Sequence, residues 1–97
     1  MRERAFGLTG LTVSEVGVGV RALGGGYGRT NDSEARRVLE RALDLGVRYI
    51  DATCPAPDGG AHAESLVGSV VGGSRDSLVL AASLTLFEAG ADGCWET

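Results

Sequence analysis

Two spacings of apolar residues divide this chain. From Glu3 to Val20 they fall in short runs broken by glycine, and from Asn31 onward they begin to step by three and four. Short apolar or alternating runs suit strands, whereas steps of three and four lay one stripe along a helix. The opening Glu3–Val13 predicts a β-hairpin, with two extended arms around Leu8-Thr9-Gly10, where glycine accepts a positive φ. Val13–Val20 reads as a β-branched run whose glycines signal close backbone approach. Leu23–Arg29 is a glycine-rich loop.

The spacing predicts a helix over Asn31–Leu45. Asn31 is placed to cap the first free N–H groups, with Glu34 three residues on in a capping-box arrangement. Ala35, Val38, Leu39, Ala42 and Leu45 form the expected buried stripe, and Gly46 the left-handed stop. Val47–Asp51 returns as a strand with Val47, Tyr49 and Asp51 on one face. After a proline-containing loop at Cys54–Gly60, Ala61–Val71 predicts a second helix that buries Ala63, Leu66, Val67, Val70 and Val71, and Gly72-Gly73 ends it. Leu78–Ala82 reads as a strand buried on both faces, and residues 84–97 as an irregular tail. The order is hairpin, then β-α-β-α-β with parallel strands and right-handed crossovers: an α/β fold.

Composition narrows the chemistry. Ninety-seven residues make one small domain, and the formal charge of −4 leaves no basic face for nucleic acid. The longest apolar run without glycine, Leu78–Ala82, is far too short to span a bilayer, and no signal-peptide core follows Met1-Arg-Glu-Arg4. Cys54 and Cys94 lie in neither a Cys-x-x-Cys nor a ligand cluster, and they read as unreactive thiols of a cytoplasmic protein. No metal site is expected. All nine basic residues are arginine, which excludes Schiff-base and Walker-type lysine chemistry.

Individual motifs are modest. Gly17-Val-Gly19-Val-Arg-Ala22 fits a loose dinucleotide fingerprint, but more glycines follow it and the helix begins only near Asn31, so no helix N-terminus faces a pyrophosphate. Asp51 ends a strand at the carboxyl edge of a parallel sheet, where such folds bind ligands; the competing reading is an anchor for the turn that follows. His62, the single histidine, suits an exposed helix start better than a proton carrier, and Trp95 a local packing anchor.

Taken together and in order, these segments resemble the N-terminal part of an aldo/keto reductase. The stretch Arg4–Gly19 (R-A-F-G-L-T-G-L-T-V-S-E-V-G-V-G) resembles the family's opening hairpin and first barrel strand. Ala22–Gly28 (A-L-G-G-G-Y-G) and Glu34–Asp51 (E-A-R-R-V-L-E-R-A-L-D-L-G-V-R-Y-I-D) are similar to its first loop, first helix and second strand. Glu64-Ser-Leu-Val-Gly68 matches its E-x-x-aliphatic-G, and Arg75–Ala81 its third strand.

The resemblance implies a partial (β/α)₈ TIM barrel, about three of the eight units that a barrel of about 250 residues contains. It also implies NADPH as cofactor, with Gly19 and Val20 among its contacts, and carbonyl reduction or alcohol oxidation by a tetrad of aspartate, tyrosine, lysine and histidine. In that tetrad the tyrosine gives its proton to the carbonyl oxygen, and lysine and aspartate tune it. Asp51 matches the aspartate. The tyrosine falls near Ala56 or Pro57, the lysine at Ser83, and the histidine beyond Thr97. Tyr49 precedes Asp51 on its strand and is badly placed to substitute. The expectation is a truncated NADP-dependent oxidoreductase domain over 1–97 that lacks catalytic competence. An open apolar sheet edge would call for a homo-oligomer or another partner, and the alternatives are a non-catalytic interaction module docking through that edge or a small enzyme using Asp51 with His62.

Overall fold

A computed structural model describes residues 1–25, 27–53 and 60–83, together with the backbone of residues 88–89 and 95–96. The hairpin pairs β1 (Glu3–Ala5) with β2 (Thr12–Ser14) antiparallel, Arg4 opposite Val13. The β-branched run that follows is not one strand. It is divided at residues 15–17, and only Val18–Gly19 continues as β3. The division has a steric cause. A Cβ on Gly17 would lie 2.6 Å from Tyr49 Cδ1 and 3.1 Å from the Tyr49 carbonyl oxygen, so the chain passes directly beneath that residue.

Helix α1 (Asp32–Asp44) starts where its cap predicts: Asn31 Oδ1 accepts hydrogen bonds from the Ser33 and Glu34 N–H groups at 2.9 and 3.3 Å. It stops at Gly46, whose φ of +97° allows the Gly46 N–H to reach Leu43 O and the Val47 N–H to reach Ala42 O, a Schellman closure. The Arg48 guanidinium also donates to Leu43 O and Val47 O, bringing a cation to the carbonyl end of the helix.

Strand β4 (Tyr49–Asp51) is shorter than the expected Val47–Asp51. Helix α2 (Gly60–Val71) runs into a 3₁₀ segment, Gly72–Ser77, and then β5 (Val79–Ala81). The three parallel strands lie in the order β3-β4-β5, with rows Val18–Ile50–Leu80 and Gly19–Asp51–Ala81. Within the stretch read as an irregular tail, β6 (Glu88–Ala89) and β7 (Trp95–Glu96) pair antiparallel.

The two faces of the sheet differ. Val20, Ile50, Ala52 and Leu78 are buried with Ala35 and Leu39 of α1 and Ala63, Leu66, Val67 and Val71 of α2. The opposite face, with Tyr49, Asp51, Val79 and Ala81, is half-buried and Gly19 is exposed. Strand β5 was expected to be covered on both faces; the described residues cover one.

The helix stripe is also rotated from the expected one. Ala35 and Leu39 are buried and Leu43 packs beside them, while Val38 and Leu45 are 50% and 54% exposed. At the amino end of the sheet the hairpin closes the floor. Ser14 Oγ donates to Val16 O at 2.7 Å and accepts the Arg48 N–H at 2.8 Å, and the Phe6 and Tyr49 rings stack tilted with centroids 5.6 Å apart.

Candidate active site

The sheet presents its chemistry at the carboxyl end. Asp51 closes the central strand, and its row neighbours carry almost no side chain: Gly19 on β3 and Ala81 on β5. A Cβ placed on Gly19 would meet nothing within 4 Å, so the carboxylate stands beside open floor on the face away from the helices. The backbone around it is fixed by the sheet. The Val20 N–H donates to Asp51 O at 3.0 Å, and the Ala52 N–H to Ala81 O at 2.8 Å.

The Asp51 carboxylate has a local partner. Its Oδ1 accepts the Thr53 N–H at 2.9 Å and also the Thr53 hydroxyl. This is an Asx-type turn, in which an aspartate anchors the backbone two residues ahead. The turn-anchor reading therefore describes the observed geometry, and it sits at the ligand-binding edge of the fold. Sequence reasoning missed Thr53. The Asp-x-Thr spacing was the signal for it.

The other candidates distribute differently. Gly19 lies in the Asp51 row, whereas the Val20 side chain is fully buried in the helix-side core, so Val20 offers that edge its backbone alone. His62 does not approach Asp51 through any described hydrogen bond. Its Nε2 lies 2.7 Å from Asp32 Oδ1 in the first turn of α1, and both side chains are more than half exposed. Tyr49 lies one row below Asp51, occupied with Phe6 over the closed floor. Ser83 is exposed just beyond β5. Cys54, Ala56, Pro57 and Cys94, and the side chain of Trp95, fall outside the described residues. Among the described residues no cluster of His, Cys, Asp and Glu could hold a metal ion, and no helix is long and apolar enough to cross a membrane.

The comparisons with known proteins agree with this architecture. Residues 15–95 match the model of the aldo/keto reductase family. The chain is 36% identical over 81 residues to the uncharacterized oxidoreductase YqkF of Bacillus subtilis, covering 84% of this chain and 24% of that protein. It is 44% identical over 50 residues to the pyridoxal 4-dehydrogenase of Microbacterium luteolum, covering 52% of this chain and 15% of that protein. Among solved structures, a Pseudomonas aeruginosa protein described as an aldo-keto reductase superposes with a TM-score of 0.68 at 34% identity, covering 97% of this chain and 34% of that one.

A sheet with one helix-covered face, a carboxylate ending its central strand and a family match over most of the sequence define one class: the chain belongs to the aldo/keto reductase family. Its fold is part of that family's TIM barrel, and it spans about a quarter of the length of YqkF and a third of the solved structure. The family typically uses NAD(P)H. Beside Asp51, Gly19 and Ala81 bring no bulky side chain, so the described residues leave that position unobstructed, with the Val20 backbone at its margin.

Proposed function

We propose that this chain is the N-terminal barrel segment of an NADPH-dependent carbonyl reductase architecture, and that as a 97-residue chain it does not complete the reaction. The observation that carries the proposal is the position of Asp51, aligned with Gly19 and Ala81 at the carboxyl end of the central strand while its carboxylate is held by Thr53. Reducing a carbonyl needs a hydride donor and an acid beside the oxygen that becomes the alkoxide. The cofactor, when bound, supplies the hydride. Asp51 supplies a fixed negative charge suited to orienting a tyrosine–lysine pair.

That pair is missing from the sequence. Ala56 and Pro57 stand where the family pattern places the tyrosine, and Ser83 where it places the lysine. Neither alanine nor proline has a proton to give, and a serine hydroxyl brings no cation to polarise an acid. The nearest described tyrosine on the sheet, Tyr49, is one row too deep and stacked on Phe6.

The test is NADPH consumption by the purified chain with a panel of aromatic and aliphatic aldehydes. The expected rate equals the rate without protein. Aldehyde-dependent consumption by the unaltered chain, abolished by Asp51→Asn, would overturn the proposal. A second reading, a non-catalytic module that docks through the open edge of its third strand, is favoured by β5 ending the sheet with no described strand beyond it.

A further inference from the structure

A cation stands at the carboxyl end of the sheet, just past the strand beside Asp51. Arg21 follows the two residues that border the Asp51 position: Gly19 in its row, and Val20, whose N–H donates to Asp51 O at 3.0 Å. The Arg21 guanidinium lies over the Tyr27 ring, 5.4 Å from its centroid. Arg21 is half-buried, and Tyr27 is 75% exposed. Turns within the loop hold this pair. The Gly24 N–H donates to Val20 O at 3.0 Å, the Gly25 N–H to Ala22 O at 3.3 Å, and the Thr30 hydroxyl to Leu23 O at 3.1 Å. Gly25 and Gly28, with φ of +94° and +137°, turn the chain back in conformations that side chains disfavour.

This stretch is the basic exception in an acidic chain. Residues 16–31 carry Arg21 and Arg29 and no carboxylate, although the formal charge of the whole is −4. The two cations have different surroundings. Arg29 lines the groove on α1 with Leu23, Thr30 and Val38, whereas Arg21 is stacked on Tyr27 at the end of the sheet. A ring against a guanidinium covers its face and not its edge, and the edge carries the parallel N–H donors that match a carboxylate in two bonds. A phosphate would draw on a helix N-terminus as well. The one that follows this loop is already taken: Asn31 accepts the Ser33 and Glu34 N–H groups, and Asp32 and Glu34 place two carboxylates in the first turn of α1.

Resting on the barrel-segment reading above, we propose that Arg21, stacked on Tyr27, is a receptor for the carboxylate of a carbonyl ligand, so that the position beside Asp51 takes aldehydes or ketones bearing a carboxylate in preference to neutral ones. Asp51 sets the orientation. Its negative charge repels the carboxylate, which goes to the Arg21 side, and the uncharged carbonyl group turns toward Asp51.

The test compares the binding of para-formylbenzoate with that of its methyl ester, which keeps the ring and the aldehyde without the charge, by NMR of the purified chain with isotope-labelled arginine. The acid is expected to bind at least about tenfold more tightly than the ester and to move the Arg21 Nε–H and Tyr27 ring signals, because a charge-assisted pair is worth that much. Arg21→Met should bring the acid down to the level of the ester. Arg21→Lys, which keeps the charge and loses the fork, should retain only part of the preference, and Arg29→Met should leave it whole. Equal binding of acid and ester, a preference that survives Arg21→Met or falls as far in Arg29→Met, or an equal grip on inorganic phosphate would each overturn the proposal. The comparison of acid with ester needs no variant, so it decides the matter even if Arg21→Met fails to fold. Aldehyde-dependent NADPH consumption by this chain would refute the proposed function and leave the carboxylate site standing, whereas equal binding of acid and ester would remove the site and leave that function as it is.

Discussion

Val38 and Leu39 are neighbours on one helix with opposite fates, and this pair offers the sharpest test of the packing. Leu39 is fully buried between α1 and the sheet beside Ile50 and Val20, whereas Val38 is half exposed on the flank. Truncating Leu39 to alanine removes the branched end of a side chain with no solvent contact and leaves a cavity among side chains on three elements. Buried Leu→Ala changes cost about 2–5 kcal/mol, and the central position of Leu39 argues for about 3 kcal/mol. A chain of this size has a total stability of about 5–10 kcal/mol, so the loss would be a large fraction of it. Val38→Ala removes less buried surface and gains about 0.5 kcal/mol of helix propensity, so its net effect should stay within about 0.5 kcal/mol of zero. The assay is urea unfolding followed by far-UV circular dichroism. With a slope of about 1.5 kcal/mol per molar, Leu39→Ala should lower the midpoint by about 2 M and Val38→Ala by less than about 0.4 M. Equal shifts for the two variants would refute the rotated stripe, and a non-cooperative decline in the unaltered chain would refute the packed core itself.

Three further substitutions test separate joints of the fold. Gly17→Ala drives a Cβ to 2.6 Å from the Tyr49 ring and 3.1 Å from its carbonyl oxygen, and should cost about 1–3 kcal/mol in the same unfolding assay; a cost below about 0.5 kcal/mol would mean that the chain does not pass beneath Tyr49. Ser14→Ala leaves the Arg48 N–H without its 2.8 Å acceptor at a part-buried position and should cost about 1–3 kcal/mol, with faster amide exchange at Arg48 as the local readout. Asn31→Ala removes the acceptor of two N–H groups and should cost about 1 kcal/mol, while Asn31→Asp, which keeps the acceptor, should stay within a few tenths.

Much of this architecture was legible because local signals agreed with one another. Asn31 and Gly46 bracket α1 as their chemistry requires, and the alternation of strands and helices is the parallel order observed. What was misread depends on neighbours distant in sequence. Val38 and Leu45 share the three-and-four spacing of the buried residues, and periodicity cannot tell a core stripe from the adjacent flank of the same helix. The sheet selects Ala35, Leu39 and Leu43, and the flank with Val38 and Leu45 stays half exposed. In the same way Val13–Val20 looks like a single strand until the Tyr49 ring is placed over Gly17. The apolar run at Leu78–Ala82 suggests two covered faces because such a strand belongs to a closed cylinder, and the described chain supplies one of its covers.

The candidate site was legible by position more than by contact. Ending a strand in a parallel α/β order places Asp51 at the edge where ligands bind, and the structure puts it there between Gly19 and Ala81. Its hold on Thr53 is a turn interaction encoded by the local Asp-x-Thr spacing. His62, attractive as the single histidine, is committed to Asp32 across the first turns of the two helices.

The proposal above stands on Asp51 at the carboxyl end of the sheet and on the lack of a tyrosine and a lysine at the positions the family pattern gives them. Deuteride transfer tests it most directly. The purified chain is incubated at high concentration with NADPH deuterated at the transferring position and an aromatic aldehyde, and the alcohol is sought by mass spectrometry. The account predicts no deuterated alcohol above the protein-free control. Deuterated alcohol formed by the chain, and lost in Asp51→Asn, would contradict it.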